Sequence, residues 1–326
     1  MTPPSAALPW PTRVARHVRG LWPGAGILLP LPFVAWVLLC LAIGKARPEH
    51  ALFLVVIPLV AYASAASKRL FVGLLPMAYL GLVYDAMRWV KDVGVTPARV
   101  HLCDLRDLDM RLASVMVDGA PATVHDWVYA HPSPALDLFF SIPYGTFIYI
   151  AFGFAVFLYV KDYERMRMFG WSFLVVNLAG FATYHLYPAA PPWYFHAHGC
   201  VVDVAAHASE GASLARVDLL LGTRYFHDFY GRSSDVFGAV PSLHVSYPLL
   251  ILVFGWPALR APGRVFAVLF LASMCTAAVY LDHHWIIDVI LGLVYALVVY
   301  AGVTAVFRAR SARPAKSPAQ EAGVTS

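Results

Sequence analysis

Eight apolar stretches separated by charge dominate this 326-residue chain, at about 21–44, 51–67, 70–88, 136–160, 168–187, 241–259, 264–282 and 285–307. Each approaches the roughly 20 residues that a helix needs to cross bilayer hydrocarbon, the second being the shortest. Inside a bilayer every backbone N–H and C=O must be satisfied within the protein, so a spanning segment is either a helix or a strand of a closed barrel. Barrel strands are short and alternate apolar with polar residues, whereas these stretches are long and continuously apolar. The expected fold is all-α, a polytopic membrane protein of about eight transmembrane helices. Composition agrees: 60% of the residues are hydrophobic and 13% charged, too apolar for an ordinary soluble domain. The membrane is the expected partner, and no nucleic acid is.

Lysine and arginine orient the helices. With the N-terminus inside, Arg13, Arg16, Arg19, Lys68, Arg69, Lys161, Arg165, Arg167, Arg260, Arg264, Arg308, Arg310, Arg313 and Lys316 all fall on the cytoplasmic side, more than half of the chain's 24. Almost all sit in short segments against span ends, where the positive-inside rule applies. Residues 89–135 and 188–240 then form two long loops outside the cytoplasm, and residues 308–326 a disordered cytoplasmic tail. The first apolar stretch is too long for a signal peptide and lacks a small-residue cleavage site nearby, so it reads as an uncleaved helix. Cys40 and Cys275 lie in spans, where a buried thiol is a small hydrophobe. Cys103 and Cys200 lie one in each outer loop, where an oxidising compartment permits a disulfide; two unpaired thiols are the alternative.

A loop of more than 50 residues between membrane helices is usually functional. The loop before "AVPSLHVSYP" holds Arg216, Arg224, Arg232, Asp203, Asp218, Asp228, His196, His198 and His227. Pro241 suits the first turn of a helix, which would leave backbone N–H groups at Ser242, Leu243 and His244 open to an anion. The alternative is a plain helix cap with an interfacial histidine. In "LDHHWIIDVILG", His284 and Asp288 are four apart and would share a helix face. A carboxylate inside a span costs on the order of 2.5–3.5 kcal/mol, so Asp288 is a functional candidate that needs a partner, and His284 is that partner. A structural ion pair is the bland alternative. Asp282 and His283 beside them lack the spacing of a metal site, so no metal is expected. Two histidines at the outer ends of neighbouring spans suggest phosphoryl transfer, one attacking phosphorus and the other protonating the departing alkoxide.

"VPSLH" and "HHWIID" resemble the second and third motifs of the type 2 phosphatidic acid phosphatase superfamily. "YPAAPPWYFHAHG", "SLARVDLLLGTRYF" and "DVFGAVPSLHVSYP", in that order over about 185–295, are more similar to its inositol phosphorylceramide synthase branch. The resemblance implies a six-helix core, here 68–307, behind a two-helix extension, 1–67, and catalysis without metal or cofactor. It makes His244 the acid, His284 the nucleophile and Asp288 its orienter. The general phosphatase pattern has serine and arginine ahead of the third motif, where Ala277 and Ala278 stand, and lysine and arginine in the first, where "YHLYPAAPPWY" stands. Phosphate-binding cations must come from elsewhere, with Arg216 and Arg232 as candidates and Arg224 behind them.

The implied reaction moves phosphoinositol from phosphatidylinositol to the primary hydroxyl of ceramide, releasing diacylglycerol, on the periplasmic face of a bacterial inner membrane. Ser242 would hold the phosphodiester. The chain has one asparagine, Asn177, in mid-span, and one glutamine, Gln320, in the tail, so inositol hydroxyls would be met not by amides but by Asp203, Asp218 or Asp228, by arginines, histidines or tyrosines, or by backbone, with Asp218 ranked first. Trp193 and Tyr194 would rim the site at the lipid interface. A lipid phosphate phosphatase with the same catalytic residues is the first alternative, and a proton-relay transporter the second. The oligomeric state stays open.

Overall fold

The computed structural model describes residues 9–205, 212–231 and 235–312. By packing, the chain divides into units 1–82 and 83–326.

The first unit opens with α1 (Trp10–Leu21), an amphipathic helix that buries none of its residues. A 3₁₀ turn at Ala25–Leu28 leads into α2 (Leu31–Ala42), then α3 (His50–Tyr62) and α4 (Ala65–Val90), within which the division falls. The Trp22 indole N–H donates to the Ala61 carbonyl at 3.0 Å and its ring meets Phe71 edge-on. Phe33 is fully buried and stacks on Tyr79 at 5.3 Å.

The second unit carries two outer segments, four long helices and a shorter apolar one. After α4 come α5 (Cys103–Leu112), the strands β1 (Ser114–Val117) and β2 (Ala120–Thr123), and α6 (Val124–Ala130). The strands form an antiparallel hairpin pairing Val117 with Ala120 across Asp118 and Gly119, both at positive φ. That is the Asp-Gly signature of a two-residue turn, which the helix-only expectation passed over. α7 (Pro134–Lys161) and α8 (Tyr163–Leu186) follow. The second outer segment folds into α9 (Pro192–His198), α10 (Leu214–Leu221) and α11 (Tyr225–Gly231), and the chain ends with α12 (Leu243–Gly255), α13 (Ala261–Tyr280) and α14 (Ile286–Ser311).

All eight apolar stretches are helical. Among the described residues, five segments are long and apolar enough to cross a membrane: 25–42, α4, α7, α13 and α14. α8 has the length but is not among them. The stretches at 51–67 and 241–259 become α3 and α12, of 13 residues each, so each helix rises only about 20 Å of the roughly 30 Å of hydrocarbon.

α12 lies at the centre, packed on α7, α8, α13 and α14. Its buried face meets Phe147 and Phe173 through Tyr247, and Phe169 through Phe254. Asn177 is structural: the Tyr247 hydroxyl donates to its carbonyl oxygen at 2.5 Å, and its amide donates to Phe173 O at 2.7 Å. This satisfies a polar group that would otherwise cost several kcal/mol in an apolar interior.

The two outer segments share one end of the bundle. His101 N–H donates to Pro188 O, Ala190 N–H to His101 O and Ala239 N–H to Ala189 O. Cys103, the first residue of α5, forms a disulfide with Cys200, just past α9, with Cα atoms 5.8 Å apart. The possible pairing of the sequence analysis is the one the fold adopts.

Candidate active site

α12 starts at Leu243 with Ser242 as its N-cap, two residues later than Pro241 implies. The Ser242 N–H is not open to an anion: it donates to the Asp288 carbonyl at 3.0 Å, tying the start of α12 to the first turn of α14. Its hydroxyl is fully buried, without a hydrogen-bond partner among the described residues. The helix-start phosphate cradle expected at Ser242 is therefore partly spent on packing. α14 starts at Ile286 behind Trp285, so His284 precedes the helix and does not share a helix face with Asp288. The turn between α13 and α14 instead hangs from Ala278, whose carbonyl accepts the His283 and His284 N–H groups at 3.2 and 3.0 Å.

This turn brings the two histidines together. His244 Nδ1 lies 3.0 Å from His284 Nε2, and His284 Nδ1 lies 2.9 Å from the Ala239 carbonyl oxygen. A carbonyl only accepts, so His284 Nδ1 carries the proton and Nε2 the lone pair. His244 Nδ1–H must then donate to that lone pair, leaving His244 Nε2 to accept from the Tyr230 hydroxyl at 3.3 Å. One tautomer set satisfies the whole chain. It leaves the Nε2 lone pair of His284 facing His244.

Asp288 is close without orienting the ring by a hydrogen bond. Its Oδ2 lies 3.6 Å from His284 Nδ1 and accepts the Trp285 N–H at 2.9 Å, an N3 carboxylate capping its own helix. The Ala239 carbonyl is what fixes the His284 tautomer. Asp288 is fully buried. Burial pushes the His284 imidazole down to about 4, so at neutral pH it is uncharged.

Aromatic rings line the pair. Tyr144 of α7 stacks on His244 at 4.5 Å with 21° between the planes, and Phe147 approaches it at 5.0 Å. Tyr144 and Tyr230 also flank His283, at 5.0 and 5.1 Å. The sequence analysis missed Tyr144 and Tyr230: one lies in an apolar span and the other among several loop tyrosines, and neither carries a distinguishing spacing.

The expected binding residues fare unevenly. Arg216 sits on α10 and grips Asp137 of α7 with two hydrogen bonds, 2.7 and 3.0 Å, its third nitrogen reaching Ser213 Oγ at 2.9 Å. Asp137 is buried, so the guanidinium neutralises a charge that would otherwise be stranded. Asp218 accepts from Thr223 Oγ1 and from the Phe226 and His227 N–H groups, which makes it the organiser of the α10–α11 turn rather than an open head-group ligand. Tyr194 is not at a lipid interface: it is fully buried, its hydroxyl accepting from Asp203 N–H at 2.7 Å. Burial wins because its ring fills the core between the two outer segments, against Phe237 and His198. Trp193, partly buried, packs on that core and donates its backbone N–H to the Asp282 carbonyl. Arg224 is exposed beside His227 and Asp228. Arg232 lies outside the described residues.

The sequence pattern of the PAP2 superfamily matches residues 112–302. This chain belongs to the PAP2 superfamily. Within the superfamily it is similar to the phosphoinositol dihydroceramide synthase of Bacteroides thetaiotaomicron, 34% identical over 267 residues that cover 80% of this chain and 86% of that protein. It is also similar to the inositol phosphorylceramide synthase of Candida albicans, 33% identical over 171 residues, and to the inositol phosphorylceramide synthase catalytic subunit AUR1 of Saccharomyces cerevisiae, 33% identical over 174 residues. Those two matches cover 51% of this chain but only 35% and 41% of the fungal proteins. No solved structure matches significantly. Where the general PAP2 phosphatase pattern carries serine and arginine, Ala277 and Ala278 are fully buried.

Proposed function

We propose that this PAP2 protein transfers phosphoinositol from phosphatidylinositol to the primary hydroxyl of a ceramide or dihydroceramide through a phosphohistidine on His284. The observation that carries the reading is the direct contact of His244 Nδ1 with His284 Nε2, the latter's tautomer set by Ala239. The names of the relatives support the head group and the acceptor.

The donor's phosphorus approaches along the His284 Nε2 lone pair, the direction His244 Nδ1–H now occupies, so donor binding replaces the histidine–histidine hydrogen bond. The phosphodiester's negative charge favours the imidazolium form of His244. The N–P bond forms, the P–O bond to diacylglycerol breaks, and His244 gives its proton to the departing oxygen. The phosphorylated imidazole is positive while Nδ1 keeps its proton, and Asp288, 3.6 Å away, offsets that charge. The ceramide hydroxyl then attacks phosphorus, its proton returns to His244 and the P–N bond breaks. An acid and base of this kind is typically worth about 10²–10⁴ in rate. The catalytic core is 68–307; the segment 1–67 ahead of it, expected to hold two helices, holds three, α1, α2 and α3, because the amphipathic α1 carries too little hydrophobicity to register as a span. The site faces the periplasm of a bacterial inner membrane.

Purified protein given labelled phosphatidylinositol tests this. A labelled lipid product should form only when ceramide is added, and free inositol phosphate as the sole product would replace the transferase reading with a phosphatase. His284→Ala should abolish both activities, and His244→Ala should lower kcat by about 10²–10⁴.

A further inference from the structure

A second group of ionisable side chains lies against the turn that carries His284. Asp282 Oδ1 is 3.2 Å from His125 Nδ1 and its Oδ2 is 2.6 Å from His196 Nδ1. His125 Nε2 lies 3.5 Å from Asp109 Oδ2, and His196 Nε2 lies 3.2 Å from Asp126 Oδ1. Arg106 closes the chain on Asp126 at 2.8 Å. Asp109, His125 and Asp282 are all buried. The residues come from α5, α6, α9 and the turn itself, so only the folded outer segments assemble them.

The group grips the turn at both ends. At one end Asp282 is held by two histidines through its side chain and by Trp193 N–H at its carbonyl. At the other, the Ile286 N–H donates to Asp109 Oδ1 at 2.8 Å. His284 lies between. Asp282 has φ +66°, a left-handed conformation that Asp and Asn adopt more readily than other side chains. Burying several ions is expensive, and replacing such groups by apolar ones is often neutral or stabilising, so stability alone is a weak reason for this arrangement.

We propose that Asp282, with His125, His196 and Asp109, is a positioning clamp that holds residues 282–286 so that His284 Nε2 is aimed at phosphorus. The inference rests on the reading of His284 as the nucleophile. Displacing a reacting atom by about 1 Å can cost on the order of 10²-fold in rate, so the clamp acts on kcat rather than on lipid binding.

The test is Asp282→Asn in the full-length protein, assayed with phosphatidylinositol and ceramide in mixed micelles beside wild type and His284→Ala. Asparagine tolerates the left-handed backbone, so the change removes charge and leaves the turn's conformational preference. We expect kcat to fall about 30- to 100-fold with both KM values within threefold of wild type. A kcat within threefold of wild type, or a loss carried by KM, overturns the clamp. If Asp282→Asn does not unfold cooperatively, the same criteria apply to His196→Asn at the outer end, where kcat should fall about tenfold. An inactive wild type, or an active His284→Ala, overturns the functional reading, and the clamp with it; a dead His284→Ala beside an unaffected Asp282→Asn overturns the clamp alone.

Discussion

His284 and His196 respond to pH in opposite senses because their surroundings differ. Burial holds the His284 imidazole down to about 4 against an ordinary value near 6.5. Between those two values the unfolded chain binds a proton that the folded one refuses, so stability falls as the pH falls through that window, by up to about 3 kcal/mol. Burial would also lower His196, but hydrogen bonds and charge from Asp282, then Asp126, outweigh it and raise the group. Its contribution is fully present below about 6.5 and is lost as the pH rises through the folded value. Thermal unfolding followed from pH 4.5 to 8.5 should therefore give its highest midpoint near pH 6.5. A midpoint still rising as the pH falls to 4.5 would contradict a neutral His284. His244, His284 and Asp288 were legible in the sequence because histidines and a carboxylate beside apolar stretches are costly and so conspicuous. The Ala239 carbonyl was not, since a backbone acceptor leaves no trace in residue type.

The contact between α12 and α14 sets how far apart the two histidines stand. At Gly292 an added Cβ would lie 2.2 Å from the Ser242 carbonyl oxygen and 2.8 Å from Val245 Cγ2. The first is backbone, which cannot rotate away, so Gly292→Ala must push the helices apart. Overpacking of this kind typically costs about 1–3 kcal/mol. The same shift opens the His244–His284 contact. We expect a lowered unfolding midpoint together with a larger fractional loss of transfer activity than the stability change explains, measured by heating the protein and assaying it below the transition. Gly153, also in a span, has open space around its Cβ position, and its alanine variant should be unaffected. The helices themselves were readable from hydropathy. Their starts were not, because Ser242 and Trp285 become caps only through the bond from Ser242 N–H to Asp288 and the carboxylate of Asp288 folding back on Trp285.

For the whole molecule, the Cys103–Cys200 bridge joins positions 97 residues apart and so ties the two outer segments together. Chain-entropy reasoning assigns a loop of that size roughly 4–5 kcal/mol, and helices already confined to a bilayer reduce the freedom that the cross-link removes. Reducing the bridge, or replacing both cysteines by serine, should lower stability by about 2–4 kcal/mol, read as a reductant-dependent fall in the thermal midpoint. An unchanged midpoint would mean that the outer segments hold together without it. Hydropathy and charge by themselves determined that the chain is a bundle of membrane helices and where its long loops lie, since each of those signals is contained within one short segment. The motifs by themselves determined the family. Only the tertiary structure decided that Arg216, Asp218 and Tyr194 serve packing, that Tyr144 and Tyr230 flank His244, and that Asp109, His125 and His196 converge on Asp282. Those are contacts between residues far apart in the chain. The physical cause is that a polar side chain's role is set by the partner that satisfies it, and that partner is chosen by the fold rather than by its neighbours in sequence.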